Sequence, residues 1–469
     1  MTLTARRTAP VQPTTHCARS GRAERVHAAP VPAGPLLPIV GAGSPVPLVT
    51  GAERPYANLD YAASAPPLQA VADHVDELLP YYASVHRGAG YASQVCTRVY
   101  EGARAAVAEF VDARSDDVVV FTRNTTDSLN LMAGCVPAGG EVVVLDIEHH
   151  ANLLPWRHRR VVEAAATLER TLARVEAELA RRPAALLAVT GTSNVTGEQL
   201  PLGLLSRIAH RHGARIAVDA AQLVPHRRID LVASQVDYLA FSGHKLYAPW
   251  GAGALVGRRD WLDEAPPYLA GGGAVREVGL DEVRWTSAPA RHEGGSPNVV
   301  GVAALARACQ VIGALPEGSL EAHESALRRR LLAGLGDVPG VQVHRIWPDS
   351  SSAVGVVAFS VRGYAPGHVA AYLSAEHAVG VRDGKFCAHP LAARLGFPDG
   401  ALRASFGLAT TADDVDRLVT GIDTLVRNGT NWSYDVVDGR YEPVPDPRPW
   451  PEWVPSDVGP VTRGCQPGT

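Results

Sequence analysis

One pattern narrows the fold more than any other: short β-branched runs alternate with helical stretches through the middle of the chain. DDVVVFT (116–122) reads as a buried strand and TDSLNLMAGCV (126–136) as the helix that follows it. EVVVLD (141–146), PAALLAVT (183–190), ARIAVDA (214–220) and DYLAFS (237–242) read as further strands, and GAGALVG (251–257) as another. LPLGLLSRIAHRHG (200–213) is a helix ending on Gly213, a residue suited to a helix C-terminus. Strands bounded by turn residues and separated by helices argue for a doubly wound, mostly parallel α/β sheet. Such sheets bind ligands beyond the carboxyl ends of their strands. GAGALVG is not a dinucleotide fingerprint, because its glycines are spaced G-x-G-x-x-x-G and no helix with a following acid comes after it.

After residue 299 the pattern changes. Helices are expected over 299–313 and around 318–335, then strands at VVAFSV and HAVGVR. A last helix is expected at TADDVDRLVTGIDTLV, where Thr411 and Asp414 have capping-box spacing. The expected organisation is a disordered or extended arm over 1–55, a large domain over 56–298 whose first residues can join the small domain, a small α+β domain over 299–427, and a Pro-rich tail over 428–469. YEPVPDPRPWPEWVP in the tail is too rich in proline for a helix and reads as an extended surface strap with its aromatic residues buried.

Composition limits the function classes. A net charge of −4 gives no electrostatic case for nucleic acid, and no apolar run is long enough to span a bilayer. The first fifty residues lack the apolar segment of a signal peptide; a transit peptide would look somewhat similar, but their Arg- and Ala-heavy bias is that of the whole chain, so they read as a disordered leader. Cys17, Cys96, Cys135, Cys309, Cys387 and Cys465 are widely and irregularly spaced, which argues for reduced thiols in a cytoplasmic protein.

Lys245 in FSGHK and Lys385 in VRDGKFCAHP are the only lysines in a chain that otherwise uses arginine for positive charge. Unlike arginine, lysine can lose its proton and form a Schiff base. FSGHK places Lys245 just past a strand end. AVDAAQ ends another strand on Asp219, where a carboxylate can pair with a protonated ring nitrogen or simply cap a turn. FTRNTTDSLN sets Thr125 and Thr126 at a helix N-terminus, a place suited to a phosphate and equally to an ordinary cap. EHHANLLPW offers His149 at a strand end as a ring able to stack on a cofactor. No cluster with zinc spacing accompanies it, so no metal is expected.

In this order, FTRNTTDSLN, EHHANLLPW, SNVTGE, VDAAQ, SGHK and RHEGGSPN resemble the class V aminotransferase family of pyridoxal 5'-phosphate enzymes, and within it the cysteine desulfurases and selenocysteine lyases. The resemblance covers roughly residues 59–426, beginning at LDYAASAPP. It implies an α/β fold type I pyridoxal-phosphate-dependent transferase and a homodimer with shared active sites. It also implies that Lys245 bonds the cofactor, His149 stacks on its ring, Asp219 partners the pyridine nitrogen and Gln222 donates to the phenolic oxygen. Thr125, Thr126, Ser242 and His244 fall on phosphate-binding positions. Ser296 stands where the family usually has threonine, and its hydroxyl implies a phosphate contact from the neighbouring subunit. Asn194 matches an asparagine near the phenolic oxygen and the substrate carboxylate, and Arg403 matches the arginine that grips that carboxylate. His86 and Arg87 lie where the family brings residues from the second subunit.

VRDGKFCAHPL resembles the family segment in which an arginine, a glycine and the catalytic cysteine recur, matched here by Arg382, Gly384 and Cys387. The resemblance places Arg382 at the substrate and implies that Cys387 attacks the substrate sulfur, leaving alanine, a persulfide and a sulfur-acceptor protein as partner. The usual pair of histidines before the cysteine is replaced by Lys385 and Phe386. If this stretch is extended, Lys385 and Cys387 share a side, and the ammonium would lower the thiol pKa. A lyase working by β-elimination, an epimerase, an aminotransferase or a silent scaffold on the same fold are the competing readings. Cysteine, selenocysteine or a larger thioether conjugate remain open as substrate.

Overall fold

The computed structural model describes residues 34–455. Residues 1–33 and 456–469, with Cys17 and Cys465, lie outside the described residues. A seven-stranded sheet forms the centre, in the spatial order Asp117–Thr122, Gly253–Arg258, Tyr238–Ser242, Arg215–Asp219, Leu186–Thr190, Val142–Leu145, Arg159–Val162. Gly253–Arg258 is antiparallel to both of its neighbours, and the other paired strands are parallel. Val142–Leu145, Leu186–Thr190 and Tyr238–Ser242 are buried along their whole length. This explains why they read as continuous apolar runs and not as alternating ones. Arg159–Val162 is the edge strand and carries RRVV with little burial, so it lacks that signature.

The strand ends carry the polar residues. Thr122, Leu145, Thr190, Asp219 and Ser242 close five of these strands, and each is followed by a short polar loop or a helix start. Gly243 is required by crowding: a Cβ there would stand 2.7 Å from Ala252 O and 2.9 Å from Ala248 O. Its absence lets the chain turn tightly after Ser242 into the one-turn helix Gly243–Lys245.

A smaller four-stranded antiparallel sheet has the order Val341–Val343, Val356–Val361, Ala401–Ser405, Arg382–Gly384. Helices Ser319–Gly336, Pro366–His377 and Ala412–Asn428 cover it, and Ala57 and Leu59 join its core. The capping box of the last helix forms: Thr411 Oγ1 accepts from Asp414 N (3.3 Å) and Asp414 Oδ2 accepts from Thr411 N (2.9 Å). Helix Val299–Gly313, which the sequence groups with the small domain, packs instead on helices Gln69–Leu78 and Tyr91–Phe110. Its composition explains this, since Val299, Val302, Ala304, Leu305 and Ala308 bury faces all round it and need partners on several sides.

The described parts of the arm and of the tail pack more than their composition suggests. In the arm, Leu36 N donates to Leu408 O (2.6 Å), Ile39 and Val49 are buried, and Pro45–Pro47 pairs with Glu53–Pro55. In the tail, Tyr434–Val437 and Arg440–Pro443 form a hairpin. The strap is therefore partly regular. The tryptophans depart from expectation: Trp450 and Trp453 are 81% and 84% exposed, because the proline-rich run around them has no layer beneath it.

Candidate active site

Between the strand ends of the large sheet and the smaller sheet lies a cavity of about 330 Å³. Thr125, Thr126, His149, Asn194, Asp219, Gln222, Ser242, His244, Lys245, Arg382, Cys387 and Arg403 all line it. Residues scattered over nearly 280 positions of sequence thus meet in one place, because each follows a strand whose carboxyl end points there, or sits on the smaller sheet facing it.

Hydrogen bonds fix the floor of the cavity. Helix Thr125–Cys135 begins at the cavity, capped by Asn124, whose side chain accepts from Asp127 N (3.0 Å). The cap is therefore Asn124, which leaves Thr125 and Thr126 in the first turn with their hydroxyls available to an anion. Thr125 N donates to Ser242 Oγ (2.7 Å), and the two hydroxyls are 2.6 Å apart, tying the helix start to the strand that leads to Lys245. His149 Nδ1 accepts from Ala151 N (3.0 Å), which fixes the ring and puts the remaining proton on Nε2. Burial, helped by Lys245, pushes its pKa down to about 3, so the ring is a neutral face. Burial and then Lys245 hold His244 down to about 4. Gln222 Nε2 donates to Ala62 O (2.6 Å), which orients the amide.

Lys245 and Asp219 form the electrostatic centre. Burial pushes the Lys245 amine down to about 8, with Arg403 acting in the same direction and Asp219, Cys387 and Asp60 opposing. Burial raises the Asp219 carboxyl, against the pull of the Ala221 N–H and Lys245. A carboxylate desolvated in this way gains from a cationic N–H of a bound ring.

The substrate side is built around Arg403, on strand Ala401–Ser405. Its Nη1 donates to Asn194 O (2.9 Å) and its Nη2 to Asp60 Oδ1 (3.0 Å). Its Nε is buried without a partner among the described residues, as is Thr192 Oγ1 on the same cavity wall. A buried guanidinium with an unused donor fits a carboxylate ligand. The Phe386 ring lies 5.2 Å from the Arg403 guanidinium carbon, and Phe386 O accepts from Asn194 Nδ2 (2.8 Å).

Cys387 stands at the end of this arrangement, half-buried. The stretch is not extended there. Strand Arg382–Gly384 ends, Phe386 and Cys387 take φ of 55° and 53°, and Ala388 N donates to Lys385 O (3.0 Å) to close a turn. The strand geometry that would put Lys385 and Cys387 on one side does not apply, and Lys385 does not line the cavity. Lys245 and Arg403 both feel the charge of Cys387. His150 N donates to Cys387 O (2.8 Å), pinning the turn to the loop that carries His149.

His86, Arg87 and Ser296 do not join this cavity. His86 and Arg87 line a second one of about 520 Å³ together with Gly295 and Pro297, and Ser296 is exposed between those two. Arg87 donates to Gly272 O and Gly295 O (both 2.9 Å), and His86 Nε2 lies 3.0 Å from Glu101. Two residues of consequence were not singled out from the sequence. Asp60, in LDYAASAPP, pairs with Arg403. Glu148, in EHHANLLPW, is fully buried behind His149, accepts from Thr190 N (3.1 Å) and Asn152 Nδ2 (2.8 Å), and is pushed up to about 8 by burial. For Glu148 the available signal was an acid beside His149, whereas the partner of Asp60 lies 343 positions away and gives no local signal. No group of side chains among the described residues could hold a metal ion, and no described helix is long and apolar enough to cross a membrane.

Comparison with known proteins bears on the family and the fold. A cysteine desulfurase of Dickeya dadantii (strain 3937) is 38% identical over 394 residues, 80% of this chain and 93% of that protein. One from Escherichia coli (strain SE11) is 37% identical over 392 residues, 80% of this chain and 94% of its own length. Among solved structures, the apo cysteine desulfurase of Thermococcus onnurineus NA1 superposes with a TM-score of 0.73 at 33% identity, covering 79% of this chain and 95% of that one. The Escherichia coli cysteine desulfurase CsdA gives 0.69 at 34%, covering 78% and 94%. The family model described as aminotransferase class-V matches residues 57–418, a span that takes in both sheets and every lining residue of the cavity, so the chain belongs to the class V aminotransferase family.

Proposed function

We propose that the chain is a pyridoxal 5'-phosphate-dependent cysteine desulfurase that converts L-cysteine to alanine and leaves a persulfide on Cys387. The observation that carries this reading is that Lys245, Cys387 and Arg403 line one cavity. The residues fit the cofactor. Thr125, Thr126, Ser242 and His244 line the cavity by a helix N-terminus and would hold the phosphate, His149 would offer a neutral ring, Gln222 would donate to the phenolic oxygen, and Asp219 would offer a desolvated carboxylate to the ring nitrogen. When bound, pyridoxal phosphate supplies an electron sink for negative charge at the substrate Cα.

The protein's own residues supply the rest. Arg403, with Asn194 and Arg382 nearby, holds the substrate carboxylate. Lys245, with its amine pKa lowered, bonds the cofactor without substrate and afterwards moves the Cα proton through Nζ. Cys387 Sγ attacks the substrate sulfur. The new S–S bond forms as the Cβ–S bond breaks, and the electron pair remains with the carbon fragment, which takes up protons and leaves as alanine. We infer a cytoplasmic homodimer in which His86, Arg87 and Ser296 approach the site of the second subunit. The persulfide then passes to a sulfur-acceptor protein. Replacing Cys387 by Ser separates this reading from β-elimination: alanine formation from cysteine should cease while the cofactor stays bound. Undiminished release of sulfide and pyruvate by that variant would establish elimination instead.

A further inference from the structure

The tail beyond Asn428 lies outside the family match, and its described residues, 429–455, contribute nothing to the cavity wall. It nevertheless folds back as a hairpin onto helix Pro366–His377. His368, near the start of that helix, is enclosed by three tyrosines. Tyr441 stacks on it at 5.0 Å and 8°, Tyr434 lies at 5.1 Å and Tyr364 at 5.8 Å. At the other end of the helix Glu376 accepts from Tyr434 Oη (3.0 Å) and Asn431 N (3.1 Å). The tail therefore grips one helix at both ends.

That helix leads directly to the nucleophile. It ends at His377, passes through Ala378 in the left-handed region, runs as Val379–Gly380 beside Ala57–Asn58, and continues into Arg382–Gly384 and the Cys387 turn. Its inner side also touches that strand. A Cβ built on Gly367 would lie 3.4 Å from Asp383 Oδ2 and 3.4 Å from Tyr441 Cδ2. One glycine thus separates the tail's ring from the strand carrying Arg382, which pairs in register with Arg403. The turn beyond it needs support, since two successive non-glycine residues in the left-handed region cost about 1–3 kcal/mol each.

We propose that the tail hairpin braces the catalytic cysteine: Tyr441, stacked on His368, holds helix Pro366–His377 against strand Arg382–Gly384 and so sets where Cys387 Sγ stands. Tyr441 is a positioning residue, because it acts through the helix and touches neither substrate nor cofactor. The inference rests on the reading of Cys387 as nucleophile, but the position of the thiol can be read without turnover.

The test compares full-length, cofactor-loaded wild type with Y441A and Y441F. The measurements are the rate of iodoacetamide labelling of the Cys387 peptide by mass spectrometry, the visible cofactor band, and kcat and KM for cysteine. Y441A should raise Cys387 labelling and lower kcat by about 3- to 10-fold each, as expected for loss of a coupling contact. KM and the cofactor band should stay near wild type, and Y441F, which keeps the ring, should behave as wild type. Wild-type labelling and kcat in Y441A would overturn the proposal. So would a parallel loss of cofactor and activity with unchanged labelling, since that pattern is general destabilisation. If Y441A does not fold, H368A removes the same stack from the helix side and is judged by the same outcomes. Failure of the desulfurase reading would show in the Cys387→Ser variant and leave the labelling comparison intact.

Discussion

Lys245 and Cys387 face one cavity from two walls that are built differently. The lysine wall is the rim of a seven-stranded sheet, its strands buried along their length and its loops tied by short hydrogen bonds such as Thr125 to Ser242. The cysteine wall is a three-residue strand followed by a turn with two left-handed residues, anchored by His150 N and Asn194 Nδ2. The first wall is held by extensive packing, whereas the second holds Cys387 by a few specific contacts. Substitutions in the turn can therefore alter the surroundings of the Cys387 thiol while the cavity floor stands, and Lys385 and Phe386 sit in that turn.

The contrast can be broken most directly at Lys245. Lys245→Ala should abolish the visible band that appears on adding pyridoxal phosphate and lower alanine formation by about 10³-fold or more, as read by spectroscopy and product assay. Cys387→Ser should lower alanine formation by about 10²-fold or more while leaving that band in place. If both variants lost the band equally, the two walls would not be separable. Arg403→Lys should raise KM for cysteine and lower kcat/KM by about 10-fold, because an ammonium cannot serve Asp60, Asn194 and a carboxylate with one planar fork. The smallest effect is in pH. Cofactor bonding needs the neutral amine, and burial lowers the Lys245 pKa to about 8. Lowering an amine pKa enlarges the neutral fraction at a given pH, so loading of the cofactor-free protein should speed up with pH. The gain should be about fivefold from pH 7 to 8 and under twofold from 8 to 9, where an unperturbed lysine would keep gaining tenfold per unit.

The lysine wall was also the more legible in the sequence. Strands buried on both faces write themselves as VVVF or YLAF runs, and the residue after such a run stands at the ligand end of the sheet, so Asp219, Ser242 and Lys245 could be placed from position alone. The edge strand Arg159–Val162 escaped because exposure removes the apolar signature. The cysteine wall was legible only in residue identity. Neither Phe386 nor Cys387 is a glycine or asparagine, so their left-handed φ left no local mark, and the sequence alone left open whether Lys385 faces Cys387. The pairing of Asp60 with Arg403 spans 343 positions and leaves no local trace. The tail's hairpin did carry a local mark, the Asp438–Gly439 pair at positive φ between Tyr434–Val437 and Arg440–Pro443, and the proline-rich run after it drew the reading of an extended strap instead.

The central claim is that sulfur leaves the substrate by transfer to Cys387. The most direct measurement is a single turnover of cofactor-loaded protein with L-cysteine, quenched and digested, with alanine quantified and the Cys387 peptide weighed. The account predicts one alanine per site and a Cys387 peptide heavier by one sulfur atom, removed by a reducing thiol. Pyruvate and sulfide in place of alanine, with the Cys387 peptide unchanged in mass, would contradict it.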